Sequence, residues 1–401
     1  MALRWIEGFD QLISSEALPR LYQGSETTFP TSNIAHGDEA DIRDGALYDH
    51  SAENDDTVLH TPDLVASPEN SWILGFAFKS DNISSLENGG TAPYVAFRNS
   101  AGEQCRIEIF EYTDPTPKPR GLMYGWRLMR GVTELAAGTD YFTLATEQQA
   151  WVYFEFKLTI DNAAGSLEGR YKYVNAPSRN AHVGGGFTTM SWDAAVTSID
   201  TQEQATTGAD SLVISFTTGS SALNVAYDDL YLCDSTGTKN NDFLGRCFVT
   251  AYHITTVALG GTGTNGDGDT VEWTPVTAAS TEDALQKSSS ILENDKRITS
   301  DTAGQIHLAR QLDLQSIDGA SIIGVRLDLH AKMETTGSLS VGFMWRKTTA
   351  TAAQIEFGTA FTVASTTTEA ASVIAEDDPN TLTDWVLADM NSYQFGCKNN
   401  G

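Results

Sequence analysis

Val152, Phe154, Phe156, Leu158 and Ile160 recur at every second position, with Glu155, Lys157 and Thr159 between them. Only an extended chain sorts such a sequence onto two faces, because successive side chains of a strand point to opposite sides. The segment Trp151 to Ile160 therefore predicts a β-strand with one packed face and one wet face. Comparable runs occur at Trp72 to Phe78, Tyr94 to Phe97, Arg106 to Phe110, Tyr124 to Met129, Gly169 to Val174, Leu212 to Phe216 and Val225 to Leu232. Turns rich in Gly, Asn, Asp and Ser separate them. Many short strands at this spacing predict a sandwich or barrel. Helical periodicity is scarce; its best candidate is Ser280 to Asn294, with Ala284, Leu285, Ile291 and Leu292 as apolar positions.

A chain of 401 residues with 40% apolar content is enough for two cores of ordinary size. Asp234 to Asp242 contains nothing large and apolar, which places a boundary near Gly245. The expected organisation is one β-sandwich over residues 1–245 and a second, smaller one over 246–401. In the second, strands are expected at Phe248 to Val257, up to Trp273 and Pro275, and at Gln305 to Leu312. Further ones are expected at Ile322 to Leu329, Leu339 to Trp345, Ile355 to Val363 and Trp385 to Phe395. Heptads, collagen triplets and fixed-period repeats are absent from the sequence, which argues against a fibre shaft.

Charge narrows the partners. The 53 acidic residues outnumber the 25 basic ones, for a formal net charge of −28. Such a chain repels phosphate backbones, so nucleic acid is not an expected partner. No apolar run is long enough for a membrane-spanning helix. Glu7 and Asp10 fall where a signal peptide keeps its apolar stretch, so synthesis in the cytoplasm without ordinary secretion is expected. Asn82-Ile-Ser84 spells a glycosylation acceptor that has no meaning in that setting. The four cysteines, Cys105, Cys233, Cys247 and Cys397, include no Cys-x-x-Cys pair. They are expected as small buried hydrophobes, with Cys233 and Cys247, around a polar turn, as the one pair to test for a bridge.

Trp126-Arg-Leu-Met-Arg-Gly-Val-Thr-Glu-Leu135 and the run from Trp151 to Tyr171 resemble the central hairpins of the concanavalin A-like, laminin-G-like sandwich. Its closing strand would be Ala226 to Leu232, returning beside an opening strand at Trp5 to Asp10. Asp242-Phe-Leu-Gly245, Val271-Glu-Trp-Thr-Pro275 and Trp385 to Gly396 are similar to structural proteins of tailed-bacteriophage particles. The resemblance runs over nearly the whole chain and is more specific in residues 1–245. It implies an all-β jelly-roll chain, made in the host cytoplasm and carried on the virion as a capsid decoration, spike or tail fibre component. Its partners would be other virion proteins, with a host surface glycan as the ligand of an alternative lectin or adhesin reading. Sheets leave edges to cover, and Ile322 to Leu329 and Leu339 to Trp345 carry few guarding charges. Self-association as a trimer or a larger symmetric array is therefore expected, strengthening with salt as the acidic charge is screened.

The same fold hosts glycan-cleaving enzymes, and fold alone does not decide function. Laminarinase-type members carry Glu-x-Asp-x-x-Glu, supplying two carboxylates about 5 to 5.5 Å apart. The match here is Arg106-Ile-Glu-Ile-Phe-Glu111, with Arg106 at the nucleophile position and Glu108 and Glu111 remaining. A non-enzyme is the expectation.

Gly261-Thr-Gly-Thr-Asn-Gly266 matches a dinucleotide fingerprint, but polar and strand-like sequence follows it, so a hairpin loop is expected. Asn265, Asp267 and Asp269 alternate like calcium ligands, yet Thr270 and Val276 occupy the diagnostic glycine and acid positions, leaving turn chemistry. His36 to Asp56 holds eight acidic residues with His36 and His50, and His60 follows; no ligand spacing is fixed, and a solvated loop is expected. Asp10 with Asp228 and Asp229 could share calcium across neighbouring strands, hydrogen bonding to loop amides being the default. Gly-x-Ser-x-Gly and His-Glu-x-x-His are absent. No cofactor and no metal is expected. Tyr124, Trp126 and Trp192 are the candidates for stacking on a sugar ring.

Overall fold

The computed structural model describes residues 3–8, 34–36, 47–49, 58–80, 92–112, 123–139, 142–143, 151–174, 191–215, 225–249, 254–256, 263–264, 270–271, 274–275, 298–311, 321–333, 337–347, 355–364 and 369–401. The chain is all-β with antiparallel sheets, and it divides into two compact units, Met1–Thr250 and Ala251–Gly401.

The first unit contains β1 (Leu3–Glu7), β2 (Ile34–His36), β3 (Leu47–Asp49), β4 (Val58–His60) and β5 (Ser71–Ser80). β6 (Tyr94–Asn99), β7 (Gly102–Tyr112), β8 (Met123–Arg130), β9 (Thr133–Ala137) and β10 (Phe142–Thr143) follow. β11 (Trp151–Thr159), β12 (Gly165–Val174), β13 (Ser191–Ile199), β14 (Ser211–Ser215) and β15 (Val225–Asp234) complete it. Among the described residues one sheet runs β13-β12-β11-β5-β15-β3-β2, with β1 also on β15. The other runs β10-β8-β7-β6-β14-β4, with β9 also on β8. The closing strand does return to the opening one, with Trp5 opposite Leu232 and Ile6 opposite Tyr231.

The sheets pack face to face through side chains that the period-two pattern sends inward. Trp72 meets Phe97 across the gap at 6.4 Å between ring centroids, and Trp126 meets Phe156 edge-on at 5.0 Å. Phe76, Phe154, Leu158, Ile107, Ile109 and Leu128 fill the space between and are buried. Each such side chain contributes on the order of 1.5–3 kcal/mol of hydrophobic stabilisation.

The expectation of a wet outer face on β11 is corrected. Tyr153 and Glu155 have no exposed surface. The segment after β15 folds back over them, so this face is covered at Tyr153 and Glu155, while Lys157 and Thr159 stay partly exposed. That segment belongs to the first unit, which runs through Thr250, and Val249 donates its backbone N–H to Asp229 Oδ1 at 2.8 Å.

The second unit holds β16 (Ile254–Thr256), β17 (Gly263–Thr264), β18 (Thr270–Val271), β19 (Thr274–Pro275), β20 (Ile298–Thr299) and β21 (Ile306–Gln311). Then come β22 (Val325–Ala331), β23 (Leu339–Lys347), β24 (Ile355–Val363) and β25 (Glu369–Ala375). β26 (Asp377–Asp378), β27 (Thr383–Asp384) and β28 (Tyr393–Asn399) close it. The main sheet runs β17-β18-β21-β28-β23-β24, with β16 also on β21. The β22–β25 pair supplies a second layer, because Val325, Leu327 and Val373 pack on the cluster of Trp345, Trp385, Tyr393 and Phe395.

Two expectations change here. Leu339 to Trp345 is interior, between β28 and β24, so it is not an exposed edge. Trp385 to Phe395 is not a continuous strand; Leu387–Ser392 forms a 3-10 helix before β28. The hairpin expected at Gly261 to Gly266 agrees with the pairing of Gly263 with Val271 and Thr264 with Thr270. The helix candidate Ser280 to Asn294 lies outside the described residues. All four cysteines are buried and none is in a disulfide, Cys233 and Cys247 included.

Candidate functional site

The chemistry-bearing residues of the first unit gather on the outward side of β6, β7 and β8. Register sets Tyr94 opposite Glu108, Ala96 opposite Arg106, and Glu108 opposite Arg127. Alternation therefore brings Arg106, Glu108 and Phe110 of β7 beside Arg127 of β8 on one face. Glu108 is buried, and both of its oxygens are occupied: Oε1 accepts from Arg106 Nε at 2.6 Å and Oε2 from Arg127 Nε at 2.7 Å. Arg106 also reaches Glu103 at 2.8 Å, and Arg127 reaches Glu134 at 3.6 Å. Partial burial pulls the Arg106 pKa down, but hydrogen bonds to Glu103 and Glu108 outweigh it, and the guanidinium is held above its ordinary value. The Arg106 guanidinium lies 5.6 Å from the Tyr94 ring centroid and that of Arg127 5.0 Å from the Phe110 centroid. The result is a half-exposed shelf of two aromatic rings and two guanidiniums around one sequestered carboxylate. It can hydrogen-bond hydroxyls and pack against apolar ring faces, and each oxygen of Glu108 is held by a guanidinium. The Glu111 side chain lies outside the described residues.

Of the stacking candidates, Trp126 is placed in the core and not on this shelf. It is 1% exposed, and its Nε1 donates to Asp193 on β13 of the other sheet. Thr139 adds its backbone N–H to Asp193 Oδ1 at 2.6 Å. Asp193 thus ties the two sheets together at one edge, and Trp126 has no free face for a sugar. The indole fits because residue 169 is glycine; a Cβ there would lie 2.6 Å from the Trp126 ring. Tyr124 lies on β8 opposite Glu111 and Phe142, and Trp192 lies on β13 opposite Arg170; their side chains lie outside the described residues.

A second charged cluster, which the period-two reading assigned to solvent, sits under the chain that leaves β15. Glu155 accepts from Arg170 Nε at 2.6 Å, from the Tyr231 hydroxyl and from the Gly245 N–H at 2.7 Å. Arg170 lies 4.0 Å from the Phe243 ring centroid, and Lys157 pairs with Asp242 at 3.1 Å. Desolvation, followed by the charge of Glu155, raises the pKa of Tyr231 far above its ordinary value, so it stays a neutral donor. Gly75 lets Tyr231 lie flat on the sheet, since a Cβ there would fall 2.1 Å from its ring. The only sequence signal for this cluster was the Asp242-Phe-Leu-Gly245 motif. Asp229 uses Oδ1 on the Val249 N–H, the loop-amide role expected of it; Asp10 and the His36 to Asp56 segment's side chains lie outside the described residues.

No protein-family model matches the chain, and no curated protein matches it. Solved structures to which it is similar include the CBM2 module of the evolved Dit of Lactobacillus casei BL23 phage J-1. That module is 11% identical, with 58% of this chain and 96% of that one covered at a TM-score of 0.34. The catalytic domain of a GH131 β-glucanase from Podospora anserina is 12% identical, covering 58% and 96% at 0.33. The exoplasmic/lumenal domain of VIP36, in a Ca2+/Man3GlcNAc-bound form, is 13% identical, covering 50% and 86% at 0.31. These neighbours have concanavalin A-like and legume-lectin-like folds.

Proposed function

We propose that the chain is a non-enzymatic structural protein on the surface of a tailed-bacteriophage particle, as a capsid decoration, spike or tail fibre component. The observation that supports the non-enzymatic part is Arg106, which stands at the nucleophile position of the glycosidase-like stretch and is ion-paired to Glu108, itself also held by Arg127. An arginine at that position supplies no nucleophilic carboxylate of the kind a retaining glycosidase needs. The virion part is supported by the likeness of Asp242 to Gly245, Val271 to Pro275 and Trp385 to Gly396 to phage particle proteins. The net charge of −28 suits an outer surface that keeps particles apart. Partners are then other virion proteins, with self-association on the particle. Locating the chain in a cryo-EM map of purified particles tests the role. Laminarin, agar or bacterial capsule should release no reducing ends; turnover abolished by Glu111→Gln would refute it.

A second reading, glycan binding to the host surface, is favoured by the shelf of Tyr94, Phe110, Arg106 and Arg127. A glycan array with the purified chain tests it. Binding lost in Arg127→Ala but kept in Lys157→Ala would assign the ligand to the shelf.

A further inference from the structure

β13 ends its sheet, pairing with β12 and with no other strand among the described residues. Its middle is regular: Ala194 lies opposite Gly169, Ala195 opposite Glu168, Val196 opposite Leu167 and Thr197 opposite Ser166. On the far side, the backbone N–H and C=O groups from Ala194 to Ile199 have no partner among the described residues. Ala195, Thr197 and Ser198 are exposed. Such an edge is a template for a further strand, and proteins blunt it with charge, proline or a bulge. The edge strands β9 and β24 carry Glu134 and Glu356. β13 has neither charge nor proline from Ala194 to Ile199, and its one irregularity in that run is Ser198, with φ of +60°, near the end. Beside that end stands Val132, 96% exposed in the β8–β9 turn: Arg130 reaches Asp200, and a Cβ on Gly131 would lie 3.5 Å from Glu203. Unmet backbone groups and an apolar side chain thus share one border of the first unit.

Backbone and charge together fix what lies there. Only another strand supplies a matching row of donors and acceptors. A chain of net charge −28 accepts a copy of itself only where acids do not meet, and β13 is such a place. A strand that pairs antiparallel with its own two-fold copy sets outward residues opposite outward ones, so within the regular stretch the axis passes through Ala195 or Val196. The first register puts Asp193 opposite Thr197 and the second puts it opposite Ile199, so carboxylates face uncharged residues in both. Glu168, one strand in, would stand three strand spacings from its copy, about 14 Å, beyond the Debye length of about 8 Å. We propose that β13 is the self-association edge of the protein: two copies join β13 to β13 across a two-fold axis and merge their sheets into one. This gives the self-association proposed above its contact, and rests on that part of the reading and not on the particle.

Sedimentation of the purified full chain over a range of concentrations, at low and at high salt, should show a dimer that tightens as salt screens the acidic charge. Thr197→Glu puts a charge on the exposed side of each edge and should weaken the dimer at least tenfold, with no change in melting of the monomer. Thr362→Glu, on the edge strand β24 of the second unit, is the control and should change neither. In the parent dimer the amides of Ala194 to Ile199 should exchange hydrogen at least tenfold more slowly than in the dilute monomer, a readout that stands even if Thr197→Glu folds poorly. A parent that is monomeric at every concentration and salt, or that forms trimers without dimers, overturns the pairing and leaves the particle reading to the cryo-EM map. Unchanged exchange at Ala194 to Ile199, or dissociation by Thr362→Glu instead of Thr197→Glu, also overturns it. A dimer paired through β13 whose chain is absent from native particles overturns the particle reading alone.

Discussion

Glu155→Ala removes a carboxylate that holds Arg170, Tyr231 and the Gly245 N–H on the covered face of β11. Glu155 has no exposed surface and the Arg170 side chain 18%, so the pair counts as buried. Breaking such a pair by deleting one partner costs about 3–5 kcal/mol, since a charge is left without its counterion. The unmet Tyr231 and Gly245 donors would add about 1–3 kcal/mol if nothing relaxed, but contacts that share one residue do not sum, and lifting of the 242–249 segment would let water reach them. A net loss of about 3–5 kcal/mol corresponds to roughly 6–20 °C in melting temperature for a unit of this size. Scanning calorimetry of the whole chain and of residues 1–250 reads it directly. Lys157→Ala is the internal control: its pair with Asp242 is 38% and 73% exposed, so about 0.5 kcal/mol or less is expected. If Glu155→Ala proves as mild as Lys157→Ala, the carboxylate does not anchor the covering segment and the account of this face is wrong.

Gly169→Ala should destabilise the first unit by about 1–3 kcal/mol, because its Cβ would collide with the Trp126 ring; denaturant unfolding followed by tryptophan fluorescence checks it. A fragment of residues 1–250 should melt above one of residues 1–245, which lacks Val249 and its bond to Asp229; equal melting would return the boundary to Gly245. Burial opposes the charge of Asp378, but hydrogen bonds from Tyr393, Asn380 and Thr381 outweigh it and hold its pKa below the usual 3.8. A depressed folded pKa means that the unfolded chain takes up the proton first, so this stabilisation is present above about pH 4 and is lost as pH falls through the lowered value. Melting of the second unit followed from pH 6 down to pH 2 should show that loss in the parent and not in Asp378→Asn.

Strands were legible because hydrophobic alternation is a local property: β5, β7, β11 and β15 all contain the runs that announced them. The return of β15 to β1 was legible only through the likeness of the two ends to a known sandwich. What alternation does not report is what lies on top of a face. Glu155 read as solvated because its cover, Asp242 to Val249, is distant in sequence and too polar to look like packing. Trp126 read as a stacking platform for the related reason that an aromatic residue on a strand does not announce which side it takes. Here the signal was available in Gly169, a gap in β12 opposite a large ring. The break after β27 was hidden because Trp385, Met390, Tyr393 and Phe395 supply apolar spacing that a strand also satisfies, while the turn of 3-10 helix is what brings Trp385 and Tyr393 to within 5.3 Å of each other.

The four buried, unbridged cysteines make the protein its own unfolding gauge. Burial raises the thiols of Cys105 and Cys247 beyond any physiological titration and pushes that of Cys397 up to about 12, so these three stay protonated at neutral pH, and Cys233, with no exposed surface, is shielded from a maleimide by burial. Cys105, Cys233 and Cys247 belong to the first unit and Cys397 to the second. The number of labels acquired per molecule therefore identifies which unit has opened, three for one and a single label for the other, without a probe being engineered into either.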